Sequence, residues 1–167
     1  MGDFFDVTAG EDFSRARTRE TFSRVVNALR PQNRELLSLN EVRSYLKPRK
    51  ETYKGVRPVS VDRIVGSEGR YRDFNKGFLP KRDALRGRWT SIDKAHLQDV
   101  ILPPIRLYEI GGVYFVRDGN HRVSVARAQG VQTIDAEIST LDSEIEIDPR
   151  MTSRELKQRV IAYEKEK

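Results

Sequence analysis

Apolar positions along this chain recur in two different periods, and the switch between them lays out its elements. From Glu11 to Leu29, the residues Phe13, Ala16, Phe22, Val25, Val26 and Leu29 fall mostly three or four apart, with Arg15, Arg17, Arg19 and Arg24 on the other faces. This spacing predicts an amphipathic helix. Pro31 follows where a helix stop is expected, and Met1 to Gly10 reads as a loose leader. Ser38 and Glu41 stand at capping-box spacing ahead of Val42, Tyr45 and Leu46, which predicts a short helix over 39–46 ended by Pro48. The two helices are expected to pair as a hairpin against the rest of the chain.

Beyond them the period shortens. Val59 to Val65 alternates apolar and polar and predicts a strand running into the loop Gly66-Ser67-Glu68-Gly69. Residues 70–88 have no clear period and read as a functional loop with one helical turn, with Phe74 and Phe78 dipping into the core. Thr90 and Asp93 predict a helix to about Gln98, with Trp89 as a packing anchor. Strands are expected over 103–107 and 113–116 around Gly111-Gly112, then a helix over 121–129 closed by Gly130. A strand follows over 132–138, with Ile134, Ala136 and Ile138 on one face. Thr152 and Glu155 cap a last helix carrying Leu156, Val160 and Tyr163. This order predicts an α+β fold: a small mixed sheet with an N-terminal helical hairpin and a C-terminal helix. It divides into a basic helical extension over 1–57, a core over 58–148 and the C-terminal helix over 149–167.

Charge sharpens the picture. The net charge is +6, and between Gly10 and Arg57 there are twelve Lys/Arg against six Asp/Glu, whereas from Ser91 onward there are eleven against thirteen. A basic first half favours phosphate-rich partners, nucleotide or DNA, although a solvated arginine-rich helix surface gives the same count. The chain has no cysteine, which excludes disulfides, thiolate metal sites and thiol catalysis. No stretch has the length of a membrane span, and the acidic start is unlike a signal peptide, so a soluble cytoplasmic protein is expected. Walker A, zinc and Ser/His/Asp signatures are absent. His96 carries no assigned role.

The candidate chemistry gathers at Asp118-Gly119-Asn120-His121-Arg122. A strand that ends in Asp-Gly and turns directly into a helix presents free backbone N–H groups and the positive end of a helix dipole to an anion. Gly119 permits close approach, Asn120 suits an N-cap, Arg122 suits bidentate phosphate binding, and His121 can donate to a phosphate oxygen or shuttle a proton. A plain turn with a capped helix would give the same string. Against that reading, cations in a first helical turn oppose the dipole and cost stability unless an anion arrives. Asp118 suits a Mg²⁺ ligand or a partner that holds His121, or is simply a turn former.

The segment Val113 to Ile138, reading VYFVRDGNHRVSVARAQGVQTIDAEI, resembles the core of the ParB/sulfiredoxin superfamily, and Pro58 to Phe74 resembles that family's first strand and following loop. The likeness covers about Pro58 to Thr140, and the whole chain looks like a bacterial branch labelled ParB-like nuclease. It implies a nucleotide phosphate site at the glycine turn. Asn120 stands where sulfiredoxins carry their catalytic Cys, so sulfinic-acid reduction is not expected. Partition proteins have Glu-Arg-Arg after the glycine and a helix-turn-helix beyond the core, and neither is recognisable here. The superfamily's free-serine kinases share an Asp-Gly-x-His-Arg turn and use an acid of the first loop as base, a role that falls to Glu68. The resemblance therefore implies a nucleoside di- or triphosphate with Mg²⁺ as cofactors. Glu68 and His121 are the candidate catalytic groups. Arg70, Arg72, Gly119, Asn120, His121 and Arg122 are candidates for phosphate binding, and Asp118 for the metal. The competing expectation is a ParB-like DNA-binding or nuclease module.

Overall fold

The computed structural model describes residues 3–28 and 35–167. Among these residues, five α-helices flank one mixed six-stranded sheet, an α+β architecture. The helices are α1 (Phe4–Val26), α2 (Leu39–Leu46), α3 (Arg86–Leu97), α4 (Asn120–Ala128) and α5 (Ser153–Glu166). The strands are β1 (Leu37–Ser38), β2 (Glu51–Ser60), β3 (Ile64–Ser67), β4 (Ile105–Ile110), β5 (Val113–Asp118) and β6 (Thr133–Leu141). They lie in the order β1-β3-β5-β4-β6-β2. β3 runs parallel to β5, β4 parallel to β6, and the hairpin β4–β5 joins the two halves.

Alternation along the strands splits the core in two. Ile64, Ile105, Leu107, Val116, Ala136 and Ile138 face one side, packed with Phe13, Trp89 and Val123 from α1, α3 and α4. Val65, Tyr108, Ile110, Val113 and Phe115 face the other, under Leu39, Val42 and Leu156 from α2 and α5. Ile134, Ala136 and Ile138 do share one face, and Phe74, Phe78 and Trp89 are fully buried, as the pattern predicts.

Several expectations need correction. The N-terminal helix begins at Phe4, because Asp3 and Asp6 form a reciprocal capping box; there is no loose leader at 4–10. Its inward face is Ala9, Phe13, Ala16 and Glu20, so Phe22, Val25 and Val26 are exposed rather than core. Leu29 and Pro31 lie outside the described residues. The expected helical hairpin does not form: α1 packs on α3 and α2 on α5, against opposite faces of the sheet. Val59 to Val65 is not one strand but the end of β2, a 3₁₀ turn over Val61–Arg63 and the start of β3. Residue 57 lies inside β2, which pairs antiparallel with β6 along its whole length.

The terminal signals hold better. Ser38 and Thr152 cap α2 and α5 by accepting from Glu41 and Glu155 backbone N–H groups, and Gly130 takes the left-handed conformation after α4, at φ 73°. The Thr90–Asp93 box is not used. α3 starts at Arg86, out of a 3₁₀ turn, and the Thr90 hydroxyl donates to the Arg86 carbonyl.

A carboxyl pair ties three helices together. The Gln129 amide donates to Asp12 on α1 at 2.9 Å and to Asp93 on α3 at 2.7 Å. Burial, with the neighbouring Asp12 carboxyl second, pushes the Asp93 carboxyl up to about 7.

Candidate anion-binding cleft

The motif sits where the sheet's geometry exposes backbone donors. β5 ends at Asp118, and Gly119 turns the chain at φ 110° straight into α4. Gly119, not Asn120, is the N-cap residue, and no side chain caps the helix. Glycine is required twice over. A Cβ here would meet Ile105 Cγ2 at 2.5 Å, and the left-handed conformation disfavours any L side chain. Asn120 becomes the first helical residue, so the N–H groups of the first turn point out of the sheet without a protein cap.

A cleft of about 330 Å³ opens in front of this turn. Asp118 to Arg122 form one wall; Gly69 and Arg70, from the loop after β3, and Arg88 and Ile92, from α3, complete it together with Arg117. Four arginines thus converge with one carboxylate, Asp118. That carboxylate accepts from Arg122 Nη2 at 3.1 Å, while Arg122 Nη1 donates to the Pro103 carbonyl. These two bonds fix the Arg122 guanidinium at the rim.

Asn120 and His121 are 8% and 6% exposed, and neither Asn120 Oδ1 nor His121 Nε2 finds a hydrogen-bond partner among the described residues. Buried polar atoms without partners are costly, and both belong to residues on the cleft wall. The His121 ring meets Phe74 edge-on, at 5.3 Å between centroids. Burial, with Arg88 and Arg70 adding repulsion, brings its pKa down to about 4, only partly opposed by Asp73. His121 is therefore neutral at pH 7.

That shift predicts a pH effect. The unfolded imidazole, with a pKa near 6.5, takes up a proton before the folded one does. His121 therefore contributes fully above pH 6.5, and its contribution falls as pH drops from 6.5 toward 4, by about 3 kcal/mol at most. Asp93 acts in the opposite sense. Its folded pKa is raised, so its stabilising effect fades as pH rises from 3.8 toward 7. The two offset each other in the wild type. The stability gap between wild type and His121→Gln should shrink steadily from pH 6.5 to 4 in denaturant titrations, and a pH-independent gap would remove this account.

The structure brings Arg70, Gly119, Asn120, His121, Arg122 and Asp118 to one cleft. Glu68 lies beside the end of β5, its N–H donating to the Val116 carbonyl at 2.9 Å, yet its side chain is not among those lining the cleft. Arg72 is exposed, with its guanidinium 5.5 Å from the Tyr71 ring centroid, and it stands apart from the cleft. Asp118 is engaged with Arg122 rather than with His121. Sequence reasoning missed Arg88, Arg117 and Ile92. Arg117 directly precedes the motif. Arg88 precedes the anchor Trp89, whose indole N–H donates to Ser124 on α4 at 2.8 Å and so holds α3 against the motif helix.

A second cleft of about 310 Å³ adjoins the first, sharing Ile92 and Arg122 with it. Its walls carry the apolar Val100, Leu102, Val125 and Ile134, with His96 and Asp135 among the lining residues. Among the described residues, no group of three or more His, Asp or Glu is placed to hold a metal, and no helix is long and apolar enough to cross a membrane.

No protein-family model matches the chain, and no curated protein matches it. Among solved structures, the crystal structure of sulfiredoxin from Arabidopsis thaliana is similar, at 18% identity and a TM-score of 0.41, over 53% of this chain and 89% of that one.

Proposed function

We propose that the chain binds a nucleoside di- or triphosphate, with its phosphates at the N-terminus of α4 and its base in the adjoining apolar cleft. The observation that carries this reading is the uncapped first turn of α4, with a buried, unpartnered His121 Nε2, facing four arginines. Backbone N–H groups, a helix dipole and guanidinium groups all seek an anion. An unpartnered Asn120 acceptor suits a ligand hydroxyl beside the phosphates. Arg122, common to both clefts, joins the two parts of the ligand.

The residues do not fit a resident Mg²⁺ site. One carboxylate, already paired with Arg122 and set among three other arginines, is a poor cage for a divalent cation. A Mg²⁺ ion here arrives with the nucleotide.

Calorimetry with a panel of nucleoside phosphates tests the proposal. Arg122→Ala should weaken binding by about 1.5–3 kcal/mol, roughly 10- to 150-fold. No heat from any nucleotide at millimolar concentration would sink the reading. Phosphotransfer to a small hydroxyl compound is the further step, with Glu68 as base. Its carboxylate has one oxygen buried without a partner, so a modest rearrangement of the 68–70 loop would free it for the cleft. Glu68→Gln should leave binding intact and abolish turnover; unchanged turnover would return Glu68 to a structural role.

The competing reading is a DNA-binding or nuclease module. Arg17 and Arg24 on α1 are engaged by Glu20, and Arg17 also by Asp83, which draws part of the basic N-terminal half away from a phosphate backbone. Mobility shifts at two salt concentrations separate the readings. A steep salt dependence of DNA affinity favours the module.

A further inference from the structure

Helix α1 is fastened to α3 and α4 through two carboxyl groups that lie together. Asp93 on α3 is fully buried, and Asp12 on α1 is within hydrogen-bond reach of it. The side-chain amide of Gln129, the C-cap of α4, donates to Asp93 at 2.7 Å and to Asp12 at 2.9 Å. A neutral amide supplies no counter-charge for two carboxylates. The cation that pairs with Asp12 is Arg15, at 3.5 Å, and its own side chain is largely exposed. The other charged groups nearby are engaged elsewhere. Lys94 pairs with Asp3 and Asp6, and Arg86 lies over the Phe13 ring. Arg127 donates to the Val61 carbonyl, and His96, one turn along α3, is exposed at the second cleft. Asp93 Oδ2 is buried with no hydrogen-bond partner among the described residues. An ionised Asp93 would combine like-charge repulsion with an idle buried acceptor. A proton on Asp93 removes both faults, because the O–H becomes a donor with the Asp12 carboxylate beside it as acceptor.

We propose that Asp12 and Asp93 share one proton, and that this proton latches the first half of α1, residues 4–16, onto α3. The apolar part of that docking is small: Ala9, Phe13 and Ala16 are the buried apolar residues of α1, with Phe13 packed on Trp89. The second half of the helix is held separately, by Arg17 through Asp83 and the Pro80 carbonyl. The half that carries Asp12 is therefore the half that opens. The sign follows from linkage. Closed, Asp93 is pushed up from 3.8 to about 7, chiefly by burial and then by Asp12. Open, it meets water and ionises like an ordinary aspartate. Between those two values the closed form holds a proton that the open form lacks, so each unit rise in pH weakens the latch about tenfold. Above about pH 7 both forms have lost the proton and the dependence levels off.

Hydrogen exchange of the full chain tests the latch. Rates corrected for the effect of pH on amide chemistry give the protection of residues 4–16 relative to β5. In the wild type this protection should fall about tenfold or more from pH 5.5 to 7.5, then change little up to pH 9. Asp93→Asn keeps a neutral donor beside Asp12, so its protection should be the same at every pH. Carbon NMR of the aspartate carboxyl groups is a second readout that needs no variant, and should find Asp93 protonated at pH 5.5. A wild-type protection of 4–16 that ignores pH overturns the proposal, as does an equal fall in Asp93→Asn. An equal fall in β5 would mean that the whole domain opens rather than α1, and overturns it too. So does an Asp93 carboxyl already ionised at pH 5.5. None of these readouts involves nucleotide, so the latch and the proposed binding function stand or fall separately.

Discussion

Replacing Gly119 by alanine should lower folding stability by about 2–5 kcal/mol and abolish phosphate binding. The new methyl meets Cγ2 at 2.5 Å and Cβ at 2.9 Å of Ile105, whose side chain is fully buried. Overpacking of this kind costs about 1–3 kcal/mol, and the left-handed backbone adds about 1–2 kcal/mol. Any relief comes from moving the first turn of α4, which displaces the N–H groups that face the cleft. Gly87→Ala is the internal control. Gly87 lies within α3, and a Cβ there would meet nothing within 4 Å, so this change should be neutral or stabilise by about 0.5–1 kcal/mol. Denaturant midpoints and nucleotide titrations of both variants decide the matter. A Gly119→Ala protein with a wild-type midpoint would show that the turn has room that the packing denies.

The second large effect is expected at Trp89. Its side chain is fully buried, meets Phe13 at 5.6 Å between centroids and donates to Ser124, whose hydroxyl in turn donates to the Phe78 carbonyl. One ring therefore joins α1, α3, α4 and the 70–88 loop. Truncation to alanine should cost about 3–5 kcal/mol. Trp89→Phe keeps most of the ring and loses the N–H donor, so about 1 kcal/mol is expected. Because Trp89 also seats Arg88 beside the cleft, Trp89→Ala should weaken nucleotide binding even where the protein remains folded. Trp89 is the only tryptophan, so unfolding of the variants is followed by circular dichroism. A cost below that of Trp89→Phe would contradict the packing argument.

Much of this architecture is legible in the sequence wherever one physical signal dominates. The β5–Gly119–α4 turn stands out because a glycine at a strand end followed by a helical stripe has few other outcomes. Ser38 and Thr152 are legible as caps because hydroxyl and backbone donor are close in sequence. β2 was hidden. Its outer half is exposed on both faces, and Gly55 and Pro58 interrupt it, so it lacks alternation and carries residues that ordinarily mark a break. Pro58 is tolerated because β2 is an edge strand. α1 misled for a different reason. Its two apolar stripes merge into one when read as a list of spacings, and burial separates Phe13 from Phe22. Of the cleft, the contiguous motif was legible, together with Arg70. Arg88 was not, because its position depends on how α3 docks through Trp89, a contact between residues far apart in the chain.

The pairing of β2 with β6 also sets an order of assembly. Ser60 pairs with Thr133 and Glu51 with Leu141, so this edge of the sheet closes only after the chain has been made through Leu141. Contacts this distant in sequence slow the search for the native state, because the intervening loop must close before they form. Until then β2 offers bare backbone groups, and the chain carries its own protection in Lys54, Arg57 and Pro58, a charged and proline-interrupted strand that makes a poor template for a neighbouring nascent chain. Pro58, which helped to hide β2 from pattern reading, is thus also one of the residues that make the strand a poor template while it waits for its partner.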